Sequence, residues 1–277
     1  MLDSFIYKNH LGEEIEFGKS GIFVNESDLR DFTWNIVQKN GKIYSFAKEV
    51  TERKLPVVIA CNSEAEGFAT RNRIYELCEK DVVAQKYGHI IIGEYYLRCY
   101  VTASAKTNYL VNKKVMNVTL TITTDYPYWV KDTTYRFGYG SNAGVDEENT
   151  YFDFPYDFPH DYTFSLLNTS VRNTGIISTQ FKIVIYGACE NPSVVIGDHP
   201  YTVFVTLNGN ETLTIDSSTK KIYKTDEYGI ETNCFNSRDR EHYIFEKIKS
   251  GSNLVDLVNC YRVDVTVYDE RSEPKWI

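Results

Sequence analysis

The stretch YYLRCYVTASAKTNYLVNKKVMNVTLTITTDYPYW, residues 95–129, decides how the chain folds. In its second half, apolar residues alternate with polar residues that are mostly threonines. The apolar set is Val118, Leu120 and Ile122. A period of two places one set of side chains in a core and the other toward water or a partner. Pro127 lacks a backbone N–H and keeps Tyr126 extended, so it ends the strand. We predict two strands that complete a first domain, with Trp129 filling its base.

The composition favours strands throughout the chain. Tyrosine occurs 22 times among 277 residues, and there are only 2 methionines and 7 prolines. Because β-branched and aromatic residues are typical of strands, the fold class is predicted to be mainly β. A chain of this length can form two modest domains, each with its own core.

Charge is distributed unevenly between the two halves. Residues 1–135 contain 17 Lys+Arg and 17 Asp+Glu, whereas residues 136–277 contain 13 and 21, so the net charge of −8 lies in the second half. An acidic half argues against electrostatic binding to nucleic acid or to anionic membranes. Solubility explains the same charge equally well.

Compartment signals are absent from the sequence. There is no apolar run of 18 residues and no basic-then-apolar pattern in MLDSFIYKNH, so we expect the protein to be made and folded in a cytoplasm. The cysteines form no Cys-x-x-Cys pair and are expected to be reduced, buried and apolar. They are Cys61, Cys78, Cys99, Cys189, Cys234 and Cys260.

The first domain carries one convincing helix and one strong hairpin turn. Ser63 with Glu66 forms a capping box, which predicts a helix near 63–86 that packs on a small sheet. Its predicted apolar stripe is Ala65, Phe68, Ala69, Ile74, Leu77 and Cys78. Asn40-Gly41, between two alternating stretches, is typical of a two-residue hairpin turn.

Residues 136–162 have a different character. They are acidic and aromatic, and Pro155 and Pro159 each hold the preceding residue extended. The entropy cost of ordering such a segment nearly equals the gain from burying its aromatic rings. We predict a strap docked between domains or subunits, with a loose linker as the alternative.

From residue 163 onward, short alternating stretches are separated by turn residues. This spacing is typical of an antiparallel β-sandwich over residues 163–277. Asn208-Gly209, between 201–207 and 213–215, predicts a hairpin.

Reactive chemistry is not indicated by any motif. Gly18-Lys19-Ser20 lacks the spacing of a phosphate loop and follows three carboxylates within five residues. The histidines show no paired spacing. They are His10, His89, His160, His199 and His242. We therefore predict no catalytic, cofactor-binding or metal-binding residues, no cofactor and no enzymatic activity.

Several motifs follow one another in order along the chain. They are Tyr96-Leu-Arg-Cys-Tyr-Val101, Asp125-Tyr-Pro-Tyr-Trp129, DFPYDFPHDY at 153–162, Tyr186-Gly187 with Asn191-Pro192, Leu213-Thr-Ile-Asp216 with Lys221, Gly251-Ser-Asn253, and the ending from Tyr268 to Trp276. In these motifs the chain resembles the distal tail proteins of long-tailed siphophages over nearly its whole length.

The resemblance implies an architecture and a role. Residues 1–135 would be a split-barrel-like β domain that forms a hexameric ring, and residues 163–277 would be a galectin-like sandwich. The ring would join the tail tube protein to the tail-tip lysin or fibre protein, in a virion assembled in the host cytoplasm. It would also carry receptor-binding proteins, and DNA would only pass through its channel.

Two other functions remain open. Exposed aromatic residues of the second domain could stack on sugar rings, which would make the protein a carbohydrate-binding module for host recognition. A glycan hydrolase would need two carboxylates about 5–9 Å apart, and a sequence cannot place such a pair.

Overall fold

The computed structural model describes residues 4–18, 21–24, 27–107, 114–138 and 170–276. Within these residues the protein is mainly β with one α-helix, which confirms the predicted fold class. Most of the predicted strap lies outside the described residues.

The chain divides into two compact units. Unit 1 comprises Met1–Lys131 and Glu270–Ile277, and unit 2 comprises Asp132–Asp269. The division falls inside two strands rather than in a connection.

Unit 1 contains ten strands, one helix and a short 3-10 turn at Asp28–Arg30. The elements are β1 (Phe5–Lys8), β2 (Glu14–Phe17), β3 (Ile22–Val24), β4 (Asn35–Lys39), β5 (Lys42–Ala47), β6 (Thr51–Ala60), α1 (Glu64–Ala84), β7 (Gly88–Ile92), β8 (Tyr95–Thr107), β9 (Val115–Thr124) and β10 (Trp129–Gly138), the last of which begins here. Strands β10, β8, β7, β1 and β2 are neighbours in that order, and β3, β6, β9 and β8 form a second series.

The stretch at residues 95–129 forms the predicted strand pair. Strands β8 and β9 are antiparallel, and Val118, Leu120 and Ile122 of β9 are all buried. Trp129 is fully buried, but it opens β10 instead of ending the region. The chain therefore turns at Pro127 and returns to pair with β8 through Val130.

Helix α1 begins as the capping box predicts and packs on β6 and β8. The Ser63 side chain accepts a hydrogen bond from the backbone N–H of Glu66, and the Glu66 carboxylate accepts one from the N–H of Asn62. Ile74, Leu77 and Cys78 are buried as predicted. The first half of the predicted stripe is wrong, because Ala65, Phe68 and Ala69 are exposed there.

A buried carboxylate joins α1 to β1. Asp81 accepts hydrogen bonds from the Tyr7 hydroxyl at 2.6 Å and from the backbone N–H of His10 at 2.9 Å, and its second contact with His10 is to the ring Nδ1 at 2.5 Å. A Cβ at Gly88 would collide with both Asp81 and Tyr7, so this network requires glycine at that position. The helix is thus fixed in register on the sheet by a polar contact within an apolar core.

Tyr7 gives a pH-dependence prediction. Burial, with the hydrogen bond to Asp81, raises the pKa of Tyr7 far above its usual range. Unfolded tyrosine ionises near about pH 10, so above that pH the native state binds more protons and the free energy of unfolding falls by about 1.4 kcal/mol per pH unit. We expect the Tyr7→Phe variant to lose the part of this pH dependence of the unfolding free energy that Tyr7 contributes.

Urea unfolding between about pH 9 and pH 11 measures the effect, because that range spans the titration of unfolded tyrosine. Tyr75→Phe, on the exposed side of α1, is the control and should keep the wild-type slope. Equal slopes for the wild type and Tyr7→Phe would contradict the prediction.

Unit 2 is built from two antiparallel sheets and a small strand pair, and includes the end of β10. Its other strands are β11 (Ser170–Asn173), β12 (Phe181–Tyr186), β13 (Cys189–Glu190), β14 (Ser193–Ile196), β15 (His199–Thr202), β16 (Thr206–Leu207), β17 (Thr212–Asp216), β18 (Lys221–Thr225), β19 (Glu231–Asn233), β20 (Gly251–Val258) and β21 (Arg262–Arg271), the last of which ends in unit 1, with a 3-10 turn at Phe235–Ser237. One sheet has the order β19-β18-β17-β12-β21, and the other β11-β20-β14-β15.

The inward-facing residues of both sheets share one core. Phe181, Ile183 and Ile185 of β12 belong to the same buried cluster as Val194 and Ile196 of β14. This is the sandwich arrangement that the alternating pattern predicts.

The hairpin predicted at Asn208-Gly209 is not formed. Strand β16, before the turn, pairs with β13, whereas β17, after it, lies between β12 and β18. Both edges of β17 are therefore occupied within the larger sheet, and the turn connects two different sheets.

Candidate functional site

The β4–β5 hairpin is a two-stranded sheet that pairs with no other described strand. Its strands are antiparallel, with Ile36 opposite Phe46. Asn40 and Gly41 form the turn with φ of 52° and 72°. Positive φ at both positions is the geometry that Asn-Gly favours, so the turn predicted from the sequence is confirmed.

The hairpin exposes apolar side chains. All residues of β4 and all but the last of β5 are exposed, and the exposed fractions of Ile36, Tyr44 and Phe46 are 52%, 73% and 57%. The other exposed apolar residues of this segment are Trp34, Val37 and Ile43. A lone two-stranded hairpin is at best marginally stable in water, and contiguous apolar patches mark interaction surfaces. The hairpin is therefore the strongest candidate for a binding surface in the described residues.

A lysine and two aromatic rings hold the base of the hairpin. The Lys48 ammonium donates a hydrogen bond to the carbonyl oxygen of Pro127 at 2.9 Å and lies 4.2 Å from the centroid of the Tyr128 ring. It also lies 4.8 Å from the centroid of Trp34, whose ring meets Tyr128 edge-on at 6.4 Å. Burial lowers the pKa of Lys48 to about 8, with the charge of Arg53 as a second cause. This cluster sets the direction in which the hairpin leaves unit 1.

The neighbouring aromatic stretch is itself fixed by polar contacts. The guanidinium of Arg98 lies 4.4 Å from the centroid of the Tyr126 ring and 3.3 Å from the carboxylate of Asp125. The Tyr126 hydroxyl donates to Glu270 at 2.5 Å, and burial together with Glu270 raises the pKa of Tyr126. Each aromatic ring beneath the hairpin thus has a charged or polar partner.

Removal of the Lys48 contact should loosen the hairpin. Lys48→Met keeps an apolar stem but loses the charge over two rings and the hydrogen bond to Pro127, which together contribute about 1–2 kcal/mol. Hydrogen exchange of the β4–β5 amides is expected to become about 5- to 30-fold faster, while exchange in β8 and β9 is unchanged.

The matched control is Lys39→Met at the tip of the same hairpin. Lys39 lies 5.8 Å from the Tyr44 ring, in solvent, and contributes little to the base. If both variants accelerate exchange equally, Lys48 does not anchor the hairpin.

The phosphate-loop-like motif and the histidines are the remaining candidates from the sequence. Lys19 and Ser20, from the phosphate-loop-like motif, and His160 lie outside the described residues. No group of three or more His, Cys, Asp or Glu side chains that could hold a metal occurs in the part of the chain that the structure describes. Among the described helices, none is both long and apolar enough to cross a membrane.

Sequence reasoning predicted the hairpin turn but missed the hairpin as a surface. The amino-acid composition of this segment could have indicated the surface. Apolar residues occur in both strands, and no acidic residue occurs from Phe32 to Lys48. A strand pair packed on a core would show a polar outer face.

Comparison with solved structures reveals the same fold in phage tail proteins. The crystal structure of SPP1 Dit (gp 19.1), described as a paradigm of the hub adsorption apparatus in phages that infect Gram-positive bacteria, matches with a TM-score of 0.60 and 10% identity. The match covers 96% of this chain and 99% of the SPP1 Dit chain. A chain of the phage P2 baseplate in its activated conformation with Ca matches with a TM-score of 0.62 and 13% identity. This match covers 99% of this chain and 100% of the baseplate chain.

A second phage p2 baseplate structure, with Sr, matches with a TM-score of 0.61 and 12% identity, covering 98% of this chain and 99% of its own. No protein-family model matches the chain, and no curated protein matches it significantly in sequence. The likeness drawn from the sequence motifs is confirmed at the level of the fold. The chain therefore has the fold of phage Dit and baseplate proteins over nearly its full length.

Proposed function

We propose that the protein is a structural component of the tail tip of a phage or prophage, a distal tail protein that assembles into a ring. The observation that carries the proposal is the exposed apolar β4–β5 hairpin on a chain whose fold matches phage hub and baseplate proteins from end to end. An exposed apolar hairpin needs a partner, and a further copy of the same chain is the partner always present during assembly.

The form of the assembly follows from symmetry and from the family resemblance. Contacts between two different surfaces of identical subunits close into a ring when the rotation allows it. The resemblance to distal tail proteins supplies six as the number of subunits. Residues 1–135 would form the ring, and the galectin-like sandwich of residues 163–277 would point outward.

The partners of such a ring would be proteins of the tail. One face would meet the tail tube protein and the other the tail-tip lysin or fibre protein, with receptor-binding proteins carried at the periphery. The ring would be assembled in the bacterial cytoplasm and would end at the virion tail tip.

The proposed role is not enzymatic. It depends on surfaces, and no candidate catalytic residue emerged from the sequence motifs. The protein acts in this proposal by holding other proteins in place, without a cofactor or a metal.

Light scattering coupled to size-exclusion chromatography tests the assembly. A subunit has a mass of 32.0 kDa. We expect the mass of six subunits, or a multiple of that mass, and a ring in negative-stain images. A monomeric mass at every micromolar concentration tested would contradict the proposal.

A second candidate function, sugar binding in host recognition, rests on an open depression in unit 2. Its volume is about 810 Å³, and Phe204, Arg238, Asp239 and His242 contribute to its wall. The Phe204 side chain is 56% exposed, and an exposed ring beside charged groups suits a sugar. A glycan array with the full chain tests this function: binding lost in Phe204→Ala would support it, and an array without signal would remove it.

A further inference from the structure

Two histidine rings of unit 2 lie in contact with each other. His199 is the first residue of β15, and His242 follows the 3-10 turn at Phe235–Ser237. Their ring centroids are 5.9 Å apart, and the ring planes cross at 84°. His199 also packs edge-on against the buried ring of Tyr201 at 4.9 Å, which limits its movement. The two histidines are far apart in the chain, so their spacing in the sequence shows no pair.

Backbone pairing brings the two histidines together. An antiparallel bridge joins Val203 to Arg238, and His199 and His242 each lie four residues from it, in opposite directions along the chain. Two further backbone hydrogen bonds, of 3.0 Å and 2.7 Å, join the same two segments. Residues at equal distances from an antiparallel bridge lie opposite each other. The contact between the rings therefore follows from the fold of unit 2.

Each ring is oriented by an acceptor on one of its nitrogens. His199 Nε2 lies 3.0 Å from the carbonyl oxygen of Tyr243, and His242 Nδ1 lies 2.7 Å from the carboxylate of Asp239. A carbonyl and a carboxylate only accept hydrogen bonds, so both of these ring nitrogens carry a hydrogen. In the neutral rings the lone pairs are therefore on His199 Nδ1 and His242 Nε2.

Histidines that bind metals in proteins have this arrangement. A ligating histidine donates its other ring N–H to a carboxylate or a backbone carbonyl, which fixes its tautomer and its orientation. With metal–nitrogen bonds of about 2.0–2.1 Å, two imidazole rings on one ion have centroids about 5–6 Å apart. The centroid distance of 5.9 Å between His199 and His242 lies in this range.

The type of ligand determines which ions fit. Imidazole nitrogens suit Zn²⁺, Cu²⁺ and Ni²⁺, whereas Ca²⁺ and Mg²⁺ prefer oxygen ligands. Two histidines are fewer protein ligands than the three or four of catalytic and structural zinc sites, so water would complete the coordination. The side chain of His242 is 45% exposed, which gives an ion and its waters access from solvent.

We propose that His199 and His242 form a binding site for an exchangeable divalent transition-metal ion, such as Zn²⁺ or Cu²⁺. Asp239 and the carbonyl of Tyr243 are the positioning groups behind the two ligands. A bound ion would connect β15 to the 239–243 segment. The site lies within unit 2 and goes beyond the proposed function, which needs no metal.

Calorimetric titration of the full chain, made without a histidine tag, with ZnCl₂ tests the proposal. The expected result is one ion per chain. Loss of a positioning group behind a metal ligand costs about 10- to 100-fold in affinity, so loss of a ligand in His199→Gln or His242→Gln should weaken binding by at least about 10-fold. The control is His89→Gln in unit 1, which should bind Zn²⁺ like the wild type.

Electron paramagnetic resonance of the Cu²⁺ complex identifies the ligands directly. The wild type is expected to show two imidazole nitrogens on the copper, and His242→Gln only one. Circular dichroism checks that the variants fold. His242→Gln decides the outcome if His199→Gln does not fold, because the His242 side chain is the more exposed of the two.

Three results would overturn the proposal. They are a wild type that binds neither Zn²⁺ nor Cu²⁺ at concentrations up to about 1 mM, His242→Gln binding as tightly as the wild type, and CaCl₂ binding as tightly as ZnCl₂. Light scattering tests the ring separately. Metal binding can therefore fail while the ring stands, and a protein that stays monomeric can still bind the ion.

Discussion

Ile36→Asp combined with Phe46→Asp is expected to convert the assembled protein to monomers without unfolding it. The two residues are paired across the hairpin and more than half exposed, so an aspartate at either position stays in water in the monomer. In the assembly the same carboxylates would be buried against apolar groups. Loss of interface hot spots costs about 2–4 kcal/mol each, which corresponds to a 30- to 1000-fold weaker association per site.

Light scattering over a dilution series measures this effect, and circular dichroism checks the fold. The control is Tyr228→Asp with Leu254→Asp, which replaces two comparably exposed apolar residues of unit 2. We expect the control to assemble like the wild type. Assembly of the hairpin variant at wild-type concentrations would show that the hairpin is not the contact surface.

The second large effect is expected at Asp81. Asp81→Ala should lower the free energy of unfolding of unit 1 by about 2–5 kcal/mol, because it leaves two donors inside the protein without an acceptor. The Tyr7 hydroxyl and the His10 N–H would lose their acceptor inside the protein. The loss is comparable to deleting a large core side chain.

Urea unfolding monitored by circular dichroism measures this loss. Glu79→Ala, two residues away on the exposed side of α1, is the matched control and should change the free energy of unfolding by less than about 0.5 kcal/mol. Asp81→Asn keeps the shape of the side chain and one acceptor oxygen. Its loss of unfolding free energy should lie between the losses of Glu79→Ala and Asp81→Ala. A loss below about 1 kcal/mol for Asp81→Ala would show that water replaces the carboxylate.

Elements with a local signal were predictable from the sequence. The alternation of β9 determines which face it buries, the Ser63 capping box determines where α1 begins, and Asn40-Gly41 determines the hairpin turn. In each case a few neighbouring residues contain the whole physical cause. The order of the motifs also indicated the fold that the solved structures confirm.

Features that depend on distant contacts were not predictable. Asp81 is one of 38 acidic residues, and its burial depends on Tyr7, 74 positions earlier in the chain. Phe68 fits an inward-facing helical stripe by spacing, yet its side chain is 47% exposed, and Gly67 is the residue that the first turn of α1 buries. Asn208-Gly209 has the composition of a hairpin, but sheet partners from elsewhere in the chain determine the pairing.

The surface of the β4–β5 hairpin also bears on the solubility of newly made subunits. An uncovered pair of strands with apolar side chains can recruit unrelated chains and begin aggregation. Lys39 and Lys42 act as gatekeepers, since like charges at the tip repel a second uncovered tip. Subunits made alone, and faster than they can be covered, would therefore accumulate as precipitate, and the yield of soluble protein should rise when expression is slow.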